Sequence, residues 1–259
     1  MKVLLKLPRT LESKQEMIEQ LRLTSGDNKI FLNQIDDFEQ NYHSNAAIQW
    51  YTRDTCLYRF LNLALRCEDT ELIINYRFFI IDLYQKIDEL YQQMREQINY
   101  SEAKLLTYYR GQVLSTSEIE RFKTNIGGLV SFNTFFSTSL SLDIALMFAG
   151  NSTAEGSSLD MPVLFCIEVD SSIENTRPYA NIHLYSVNED EDEVLFSIGS
   201  VFRVEKVENL SNNEAVEVIY LTMVDENDLP KENVATDLAQ LFPEQKLLGM
   251  LEREMTTND

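Results

Sequence analysis

The pattern of apolar residues changes near Ser101, and this change constrains the fold more than any other feature. Before it, apolar side chains recur every three or four positions, which predicts helices over 12–21 and 30–42, one or two packed helices over 46–65 and one long helix over 69–97. After it, short runs rich in β-branched and aromatic residues predict strands at 105–110, 130–139, 163–170, 194–196, 201–207 and 215–224. One further helix is predicted over 142–149. Helices followed by strands indicate the α+β class.

Three regions follow from this change of pattern. We expect a helical lobe over residues 1–100, a β-rich core over 101–225 and an acidic C-terminal tail over 226–259. Within the core, the stretch 151–160 is rich in serine and glycine and is predicted to be a surface loop.

The charge of the chain restricts its partners. Its 42 acidic residues against 22 basic ones give a net charge of −20. This balance argues against binding to nucleic-acid phosphates or to an anionic membrane, and it would attract a basic protein. The chain has no apolar run of about eighteen residues for a transmembrane helix, and its start is too short and interrupted for a signal peptide. We therefore expect a cytoplasmic protein, or one secreted by a route without a recognisable signal peptide.

The cysteines and histidines are few and scattered. Cys56, Cys67 and Cys166 have no paired spacing, so no disulfide framework is expected. His43 and His183 form no pair of ligands with them, so we expect no metal site.

Three short stretches of the second half carry polar side chains beside strand-like runs. In the first, Tyr109-Arg110-Gly111, the arginine closes a predicted strand, where its planar cation could hold a phosphate through two parallel hydrogen bonds. The glycine could let a ligand approach the backbone closely. The commoner alternative is that Arg110 pairs with one of the many carboxylates.

The second stretch is Ser137-Thr138-Ser139, at the end of an apolar run. Its hydroxyls could support a site from below, through hydrogen bonds to a glutamate and to a ribose. The alternative is an ordinary strand in which Ser139 caps the helix that begins near Ser141 or Leu142.

The third stretch, Glu191-Asp192-Glu193, leads directly into the apolar residues 194–196. In a strand, Glu191 and Glu193 share one face and repel each other, whereas Asp192 points away. A solvated acidic loop is the commoner explanation of such a run. The apolar residues that follow nevertheless favour a place for Glu193 at the rim of a sheet, where a carboxylate could stabilise a developing ribose cation.

In this order, Arg110, Ser137-Thr138-Ser139 and Glu191-x-Glu193 resemble the R-S-E signature of mono-ADP-ribosyltransferases, in particular the arginine-specific, toxin-like class. The resemblance spans roughly residues 101–224 and includes the blocks 132–139 and 143–149. The helical segment Trp50-Tyr51-Thr52-Arg53 is also similar to one that precedes this domain. The resemblance implies two packed β-sheets that form a cleft for NAD⁺, preceded by a helical lobe, so that residues 101–225 would be the catalytic core. It implies NAD⁺ as co-substrate.

The resemblance further implies how the chain would hold NAD⁺. Arg110 would bind the phosphates, and the backbone of Gly111 would meet the nicotinamide amide. Ser137 would brace a catalytic glutamate, with Thr138 and Ser139 beside it in the part of the site that binds NAD⁺.

The two glutamates would then act on different groups. Glu193 would hold a ribose hydroxyl and stabilise the oxocarbenium-like state as nicotinamide leaves. Glu191 would orient the guanidinium of an acceptor arginine and help to deprotonate it. For stacking on nicotinamide, Phe136 and Phe148 are the candidates, although both positions also suit a core.

The leading hypothesis is therefore an enzyme that transfers ADP-ribose from NAD⁺ to arginine side chains, without a metal. Its partner would be a basic acceptor protein with an exposed arginine, because the loop 185–190 before Glu191 ends in acids. Two alternatives stay open. One is an NAD⁺ glycohydrolase with water as the acceptor, and the other is a catalytically silent module of the same fold that binds NAD⁺ or a partner.

Overall fold

Helices form the first part of the molecule. A computed structural model describes residues 4–97, 105–151, 160–187, 192–210 and 213–229. Its first segment contains α1 (Leu11–Ser25), α2 (Lys29–Asn41), α3 (Ala47–Thr52), α4 (Cys56–Arg66), α5 (Thr70–Asn75) and α6 (Arg77–Gln97). The helices predicted over 12–21 and 30–42 are confirmed, with changes of a few residues at their ends, and the segment 46–65 forms two helices, α3 and α4.

The long helix predicted over 69–97 is wrong at its N-terminal end. Asp69 caps α5, since its Oδ1 accepts from Leu72 N at 3.0 Å, but α5 ends at Asn75. Tyr76 leaves helical geometry, with φ −84° and ψ 1°, and is buried, and α6 begins at the next residue. The apolar spacing continues through this break of one residue, so periodicity alone could not detect it.

The end of α4 is closed by an unusual residue. The N–H of Asp69 bonds to Ala64 O and that of Glu68 bonds to Leu65 O, which together make a Schellman motif. Glu68 takes the left-handed position of this motif with φ 53°, and it is the one non-glycine residue with positive φ in the described parts of the chain.

The second part is built on a sheet with the strand order β2-β7-β8-β4-β1-β3-β6-β5. The strands are β1 (Leu105–Ser115), β2 (Leu129–Phe132), β3 (Phe136–Ser139), β4 (Asp160–Asp170), β5 (Tyr179–Asn181), β6 (Glu193–Phe196), β7 (Ser200–Leu210) and β8 (Asn213–Met223). All pairs are antiparallel except β4 with β8.

The sheet consists of two halves that meet between β1 and β3. Strand β1 pairs with β4 along its whole length, whereas the register of β1 with β3 is the single pair Tyr109↔Ser139 in the described residues. Rings from the two halves pack together, with centroids 5.5 Å apart for Tyr108 and Phe196. The α+β fold, with helices followed by a mixed β-sheet core, is therefore confirmed, and the two expected sheets are the halves of one hydrogen-bonded sheet.

The predicted pattern lacks β5 and differs from the structure at two further places. The run 130–139 is two strands, since β2 pairs with β7 in one half and β3 pairs with β6 in the other. Helix α7 (Thr116–Thr124) was not predicted, although the capping box of Ser115 and Glu118 is a helix-start signal in the sequence. Helix α8 (Leu142–Asn151) confirms the prediction over 142–149.

The helices share an apolar core with the sheet. That core contains residues of α1 to α6 together with the sheet-side residues Phe135, Ala180, Ile182, Leu195 and Ile198. A second core lies within the sheet and includes Val194 and Phe196 of β6. Strand β6 is therefore fixed by both cores.

The remaining expectations fall partly outside the described residues. These include most of the predicted loop 151–160 and the tail beyond Leu229, and the limits of the three expected regions stay predictions. Among the described residues, none of the helices has the length and apolar character needed to cross a lipid bilayer.

Candidate active site

Strands β1, β3 and β6 bring most of the predicted site residues to one cavity. In the register, Ser139 lies opposite Tyr109 of β1 on one side and Glu193 of β6 on the other. The cavity has a volume of about 380 Å³. Its walls include Arg110, Gly111, Ser137, Thr138, Ser139, Phe148 and Glu193, together with Tyr51, Arg53 and Tyr58 of the helices.

The closest polar contact in this cavity joins Ser137 and Glu193. Ser137 Oγ donates to Glu193 Oε1 at 2.6 Å, and Glu193 is 7% exposed. Hydrogen bonds to ionised carboxylates are short and strong, so the hydroxyl fixes the orientation of the carboxylate. The two residues are 56 positions apart, and they meet because β3 pairs with β6.

The other two hydroxyls hold the backbone around this contact. Thr138 Oγ1 donates to the carbonyl of Val194 at 2.8 Å, which ties β3 to β6. Ser139 Oγ accepts from Ser141 N at 3.0 Å, and Ser141 Oγ in turn accepts from Ile144 N at 3.4 Å. The cap of α8 is therefore Ser141, and the alternative that Ser139 caps this helix is wrong.

Arg110 is held by neutral partners. Its Nε donates to Gln112 Oε1 at 3.0 Å, its Nη1 donates to the carbonyl of Ser137 at 2.8 Å, and its guanidinium lies 4.8 Å from the ring centroid of Phe136. No carboxylate of the described residues forms an ion pair with it, so the salt-bridge alternative is wrong within that part of the chain. Burial lowers the pKa of Arg110 from its ordinary value. The remaining N–H groups could receive an anion.

Gly111 is required for helix packing. A Cβ at this position would lie 1.7 Å from Ala145 O and 2.6 Å from Ala149 N, both in the backbone of α8. The reason for the glycine is thus the close approach of α8 to β1, and not an approach of ligand to its Cα. The predicted contact of its backbone with nicotinamide stays a prediction.

The two aromatic candidates differ in exposure. Phe136 is buried and stacks on Phe132 with 4.0 Å between ring centroids, so it belongs to the core. Phe148 is 51% exposed and lines the cavity. Of the two, Phe148 is the ring that a ligand in the cavity could reach.

Tyr51 of α3 is one of the helical residues that line the cavity. The sequence indicated a helical contribution only through the resemblance of the segment Trp50 to Arg53. The Tyr51 hydroxyl lies 3.1 Å from Asn62 Oδ1 and 3.3 Å from the carbonyl of Phe135. Burial raises the pKa of Tyr51 well above its ordinary value, so its phenol stays neutral. Tyr58 packs on the same ring, with centroids 5.3 Å apart.

A larger cavity of about 580 Å³ adjoins the first, and Tyr51, Tyr58, Arg110 and Ser137 line both. Its walls add Arg66 and Glu68 at the end of α4, Gln112 of β1 and Asn133 between β2 and β3. Arg66 lies near enough to Arg110 to contribute, after burial, to the lowered pKa of Arg110. Two cations, Arg66 and Arg110, therefore line the larger cavity. The sequence pattern did not indicate Arg66 as a site residue.

The structure does not test the expected role of Glu191 or the expectation that the protein needs no metal. Glu191 lies outside the described residues, so its role stays a prediction. A search of the described residues finds no group of three His, Cys, Asp or Glu side chains arranged to hold a metal ion. Cys56, Cys67 and Cys166 are free thiols.

The two cavities together can hold an extended polar ligand. Their volumes lie in or near the range of small-molecule sites, roughly 300–1,000 Å³. A buried carboxylate stands in one cavity, and a guanidinium without a carboxylate partner among the described residues stands where the two meet. Such a carboxylate can stabilise positive charge that develops on a sugar, and such a guanidinium can bind a phosphate. The residues present thus suit a dinucleotide.

Comparisons with known proteins agree with this geometry. The family model described as NAD:arginine ADP-ribosyltransferase matches residues 15–228. A search of curated proteins found no match.

Bacterial proteins are among the solved structures of similar fold. Vis toxin of Vibrio splendidus is 19% identical, with a TM-score of 0.51 over 88% of this chain and 92% of that chain. A Vis structure in complex with agmatine is 20% identical, with a TM-score of 0.53 over 88% and 93% of the two chains. HopU1 of Pseudomonas syringae pv. Tomato DC3000 is 19% identical, with a TM-score of 0.50 over 83% and 98%. At these identities the likeness shows the fold alone.

Proposed function

Because this chain belongs to the NAD:arginine ADP-ribosyltransferase family, we propose that it transfers ADP-ribose from NAD⁺ to arginine side chains of acceptor proteins and releases nicotinamide. The observation that carries the proposal is the 2.6 Å hydrogen bond between Ser137 and Glu193, in a cavity that Arg110 also lines. In this arrangement Glu193 would face the ribose that carries nicotinamide, and Arg110 would face the diphosphate.

In the proposed reaction, Glu193 faces the ribose from which nicotinamide departs. Departure of nicotinamide leaves positive charge on the ribose, and a fixed, buried carboxylate stabilises that charge. Ser137 keeps the carboxylate in place, so little reorganisation is needed when the charge develops.

Arg110 holds the diphosphate. Its planar guanidinium already donates to Gln112 and to Ser137 O, which fixes its plane and leaves other N–H groups for phosphate oxygens. Arg66 adds a second cation from the other cavity wall. Both cations favour a ligand with negative charge near its centre.

The acceptor is a guanidinium, activated by Glu191. An arginine stays protonated near neutral pH and is a poor nucleophile, so a carboxylate must dock it and take a proton. The family description names arginine, and a related structure is a complex with agmatine, which carries the same guanidinium group. The net charge of −20 favours a basic acceptor protein.

The test is to incubate the purified chain with labelled NAD⁺, with and without agmatine, and to measure nicotinamide and labelled acceptor separately. The wild type should label agmatine. Glu193→Gln should lose both labelling and NAD⁺ hydrolysis while keeping its fold by circular dichroism. Glu191→Gln should lose labelling and retain much of the hydrolysis, because water needs no docking carboxylate.

The outcomes separate the alternatives. Nicotinamide release without labelled agmatine or labelled basic protein would identify an NAD⁺ glycohydrolase. A folded wild type that binds NAD⁺ without consuming it would identify a silent binding module. Equal loss of both activities in Glu191→Gln would contradict the acceptor role of that residue.

A further inference from the structure

Glu68 occupies a backbone position that normally belongs to glycine. Its φ of 53° places it in the left-handed region, at the residue that follows the C-cap of α4. A side chain at this position is unfavourable, and glycine or asparagine is the usual solution. Non-glycine residues in such conformations concentrate at functional sites, so the side chain of Glu68 calls for an explanation.

The side chain of Glu68 points into the larger cavity and is held there. Asn133 Nδ2 donates to Glu68 Oε1, and both residues line that cavity. Asn133 lies between β2 and β3, so the contact ties the helices to the sheet at this wall. No ion pair joins Glu68 to a cation among the described residues. Asn133 takes up Oε1, so Oε2 is the second acceptor oxygen that the side chain offers.

Three of the charged residues that line the two cavities can be matched to the parts of a dinucleotide. Glu193 lines the smaller cavity, Arg110 lines both, and Glu68 lines the larger one. A dinucleotide has a matching order, with one ribose at each side of a central diphosphate. If Glu193 faces one ribose and Arg110 faces the diphosphate, the second ribose extends toward Glu68.

We propose that Glu68 accepts hydrogen bonds from the 2′- and 3′-hydroxyls of the adenosine ribose and thereby selects NAD⁺ over NADP⁺. This inference rests on the proposed function, which supplies NAD⁺ as the ligand. Ionised carboxylates are acceptors only, so they suit a diol. A 2′-phosphate would instead place two like-charged groups side by side, which is unfavourable in a partly desolvated cavity.

The competing explanation is that Glu68 only tethers the chain segment around Asn133. The two explanations separate in Glu68→Gly, because glycine suits φ 53° and removes the carboxylate without adding backbone strain. If Glu68 is only a tether, Glu68→Gly should change the melting temperature and leave nucleotide selectivity unchanged. If Glu68 is a ribose acceptor, the ratio of the dissociation constants for NADP⁺ and NAD⁺ should fall.

The experiment is isothermal titration calorimetry of NAD⁺ and NADP⁺ with the whole chain, as wild type, Glu68→Gly and Glu71→Gln. The last variant removes the same charge from an exposed position of α5 outside both cavities. The wild type and Glu71→Gln should bind NAD⁺ at least about tenfold more tightly than NADP⁺, and Glu68→Gly should bind NAD⁺ about tenfold more weakly. In Glu68→Gly the two dissociation constants should agree within about threefold.

Each result decides the proposal. Equal affinity of the wild type for the two nucleotides, or an unchanged ratio in Glu68→Gly, would overturn it. No binding of either nucleotide would overturn it together with the proposed function. Selective binding of NAD⁺ that depends on Glu68, without turnover in the labelling assay, would uphold this inference and refute only the transferase.

Discussion

The hydrogen bond between Ser137 and Glu193 can be removed without changing the carboxylate itself. In Ser137→Ala the Oγ that lies 2.6 Å from Glu193 Oε1 is lost. The carbonyl of residue 137, which accepts from Arg110 Nη1 at 2.8 Å, stays in place. The substitution therefore tests orientation of Glu193 separately from phosphate binding.

The size of the effect follows from burial and charge. Glu193 is 7% exposed, and its Oε1 accepts the hydrogen bond that Ser137 donates. A hydrogen bond to a charged group contributes about 1.5–3 kcal/mol. Since about 1.4 kcal/mol changes a rate tenfold, loss of the bond in the transition state should lower kcat about 10- to 150-fold.

The assay is the rate of nicotinamide release as a function of NAD⁺ concentration, with and without agmatine. We expect kcat to fall by the same factor for transfer and hydrolysis, because departure of nicotinamide is common to both. The KM for NAD⁺ should change by less than about threefold, since the lost contact acts mainly in the transition state.

The matched control is Thr138→Val, which removes the neighbouring hydroxyl. That hydroxyl donates to the carbonyl of Val194 at 2.8 Å and has no hydrogen bond to Glu193. We expect a loss of stability of about 1 kcal/mol and a clearly smaller loss of kcat than in Ser137→Ala. The reasoning is refuted if Ser137→Ala keeps its kcat, or if Thr138→Val loses as much.

Two further substitutions test Gly111 and Arg110. Gly111→Ala places a Cβ 1.7 Å from Ala145 O of α8 and should lower the free energy of unfolding in urea by about 3 kcal/mol. Gly150→Ala, in α8 itself, brings its Cβ within 4 Å of nothing and should leave that free energy unchanged or raise it. Equal stability of the two variants would contradict the packing explanation. Arg110→Ala should raise the dissociation constant for NAD⁺ about 10- to 100-fold with the chain still folded, because no ion pair among the described residues depends on it. Unfolding of this variant in circular dichroism would show that the arginine serves the structure.

Local sequence patterns predicted most of the helices and most of the strands, including those on which Arg110 and Glu193 lie. The apolar spacing identified most helices, and short β-rich runs identified β1, β4, β6, β7 and β8. Arg110, Ser137 and Glu193 lie beside such runs, so their place on strands could be predicted. Their meeting depends on pairing of β3 with β6, which the sequence expresses only through the family resemblance.

The features that the sequence did not predict depend on contacts between segments that are far apart in the chain. Gly111 suggested room for a ligand, yet the space is filled by α8, which is more than thirty residues away. Tyr51 and Arg66 belong to helices whose apolar stripes explain their fold, and nothing in those stripes indicates which polar neighbours face a cavity. The capping box at Ser115 was the one missed signal that was local.

The position of β6 between two cores has a consequence for motion at Glu193. Leu195 packs with the helices, while Val194 and Phe196 pack within the sheet. A local opening that released this strand would have to expose apolar surface on both sides at once. Backbone amides of β6 should therefore exchange with solvent deuterium only through unfolding of the whole unit, at a rate set by global stability. The carboxylate at its first residue is thus attached to a strand that both cores hold in place.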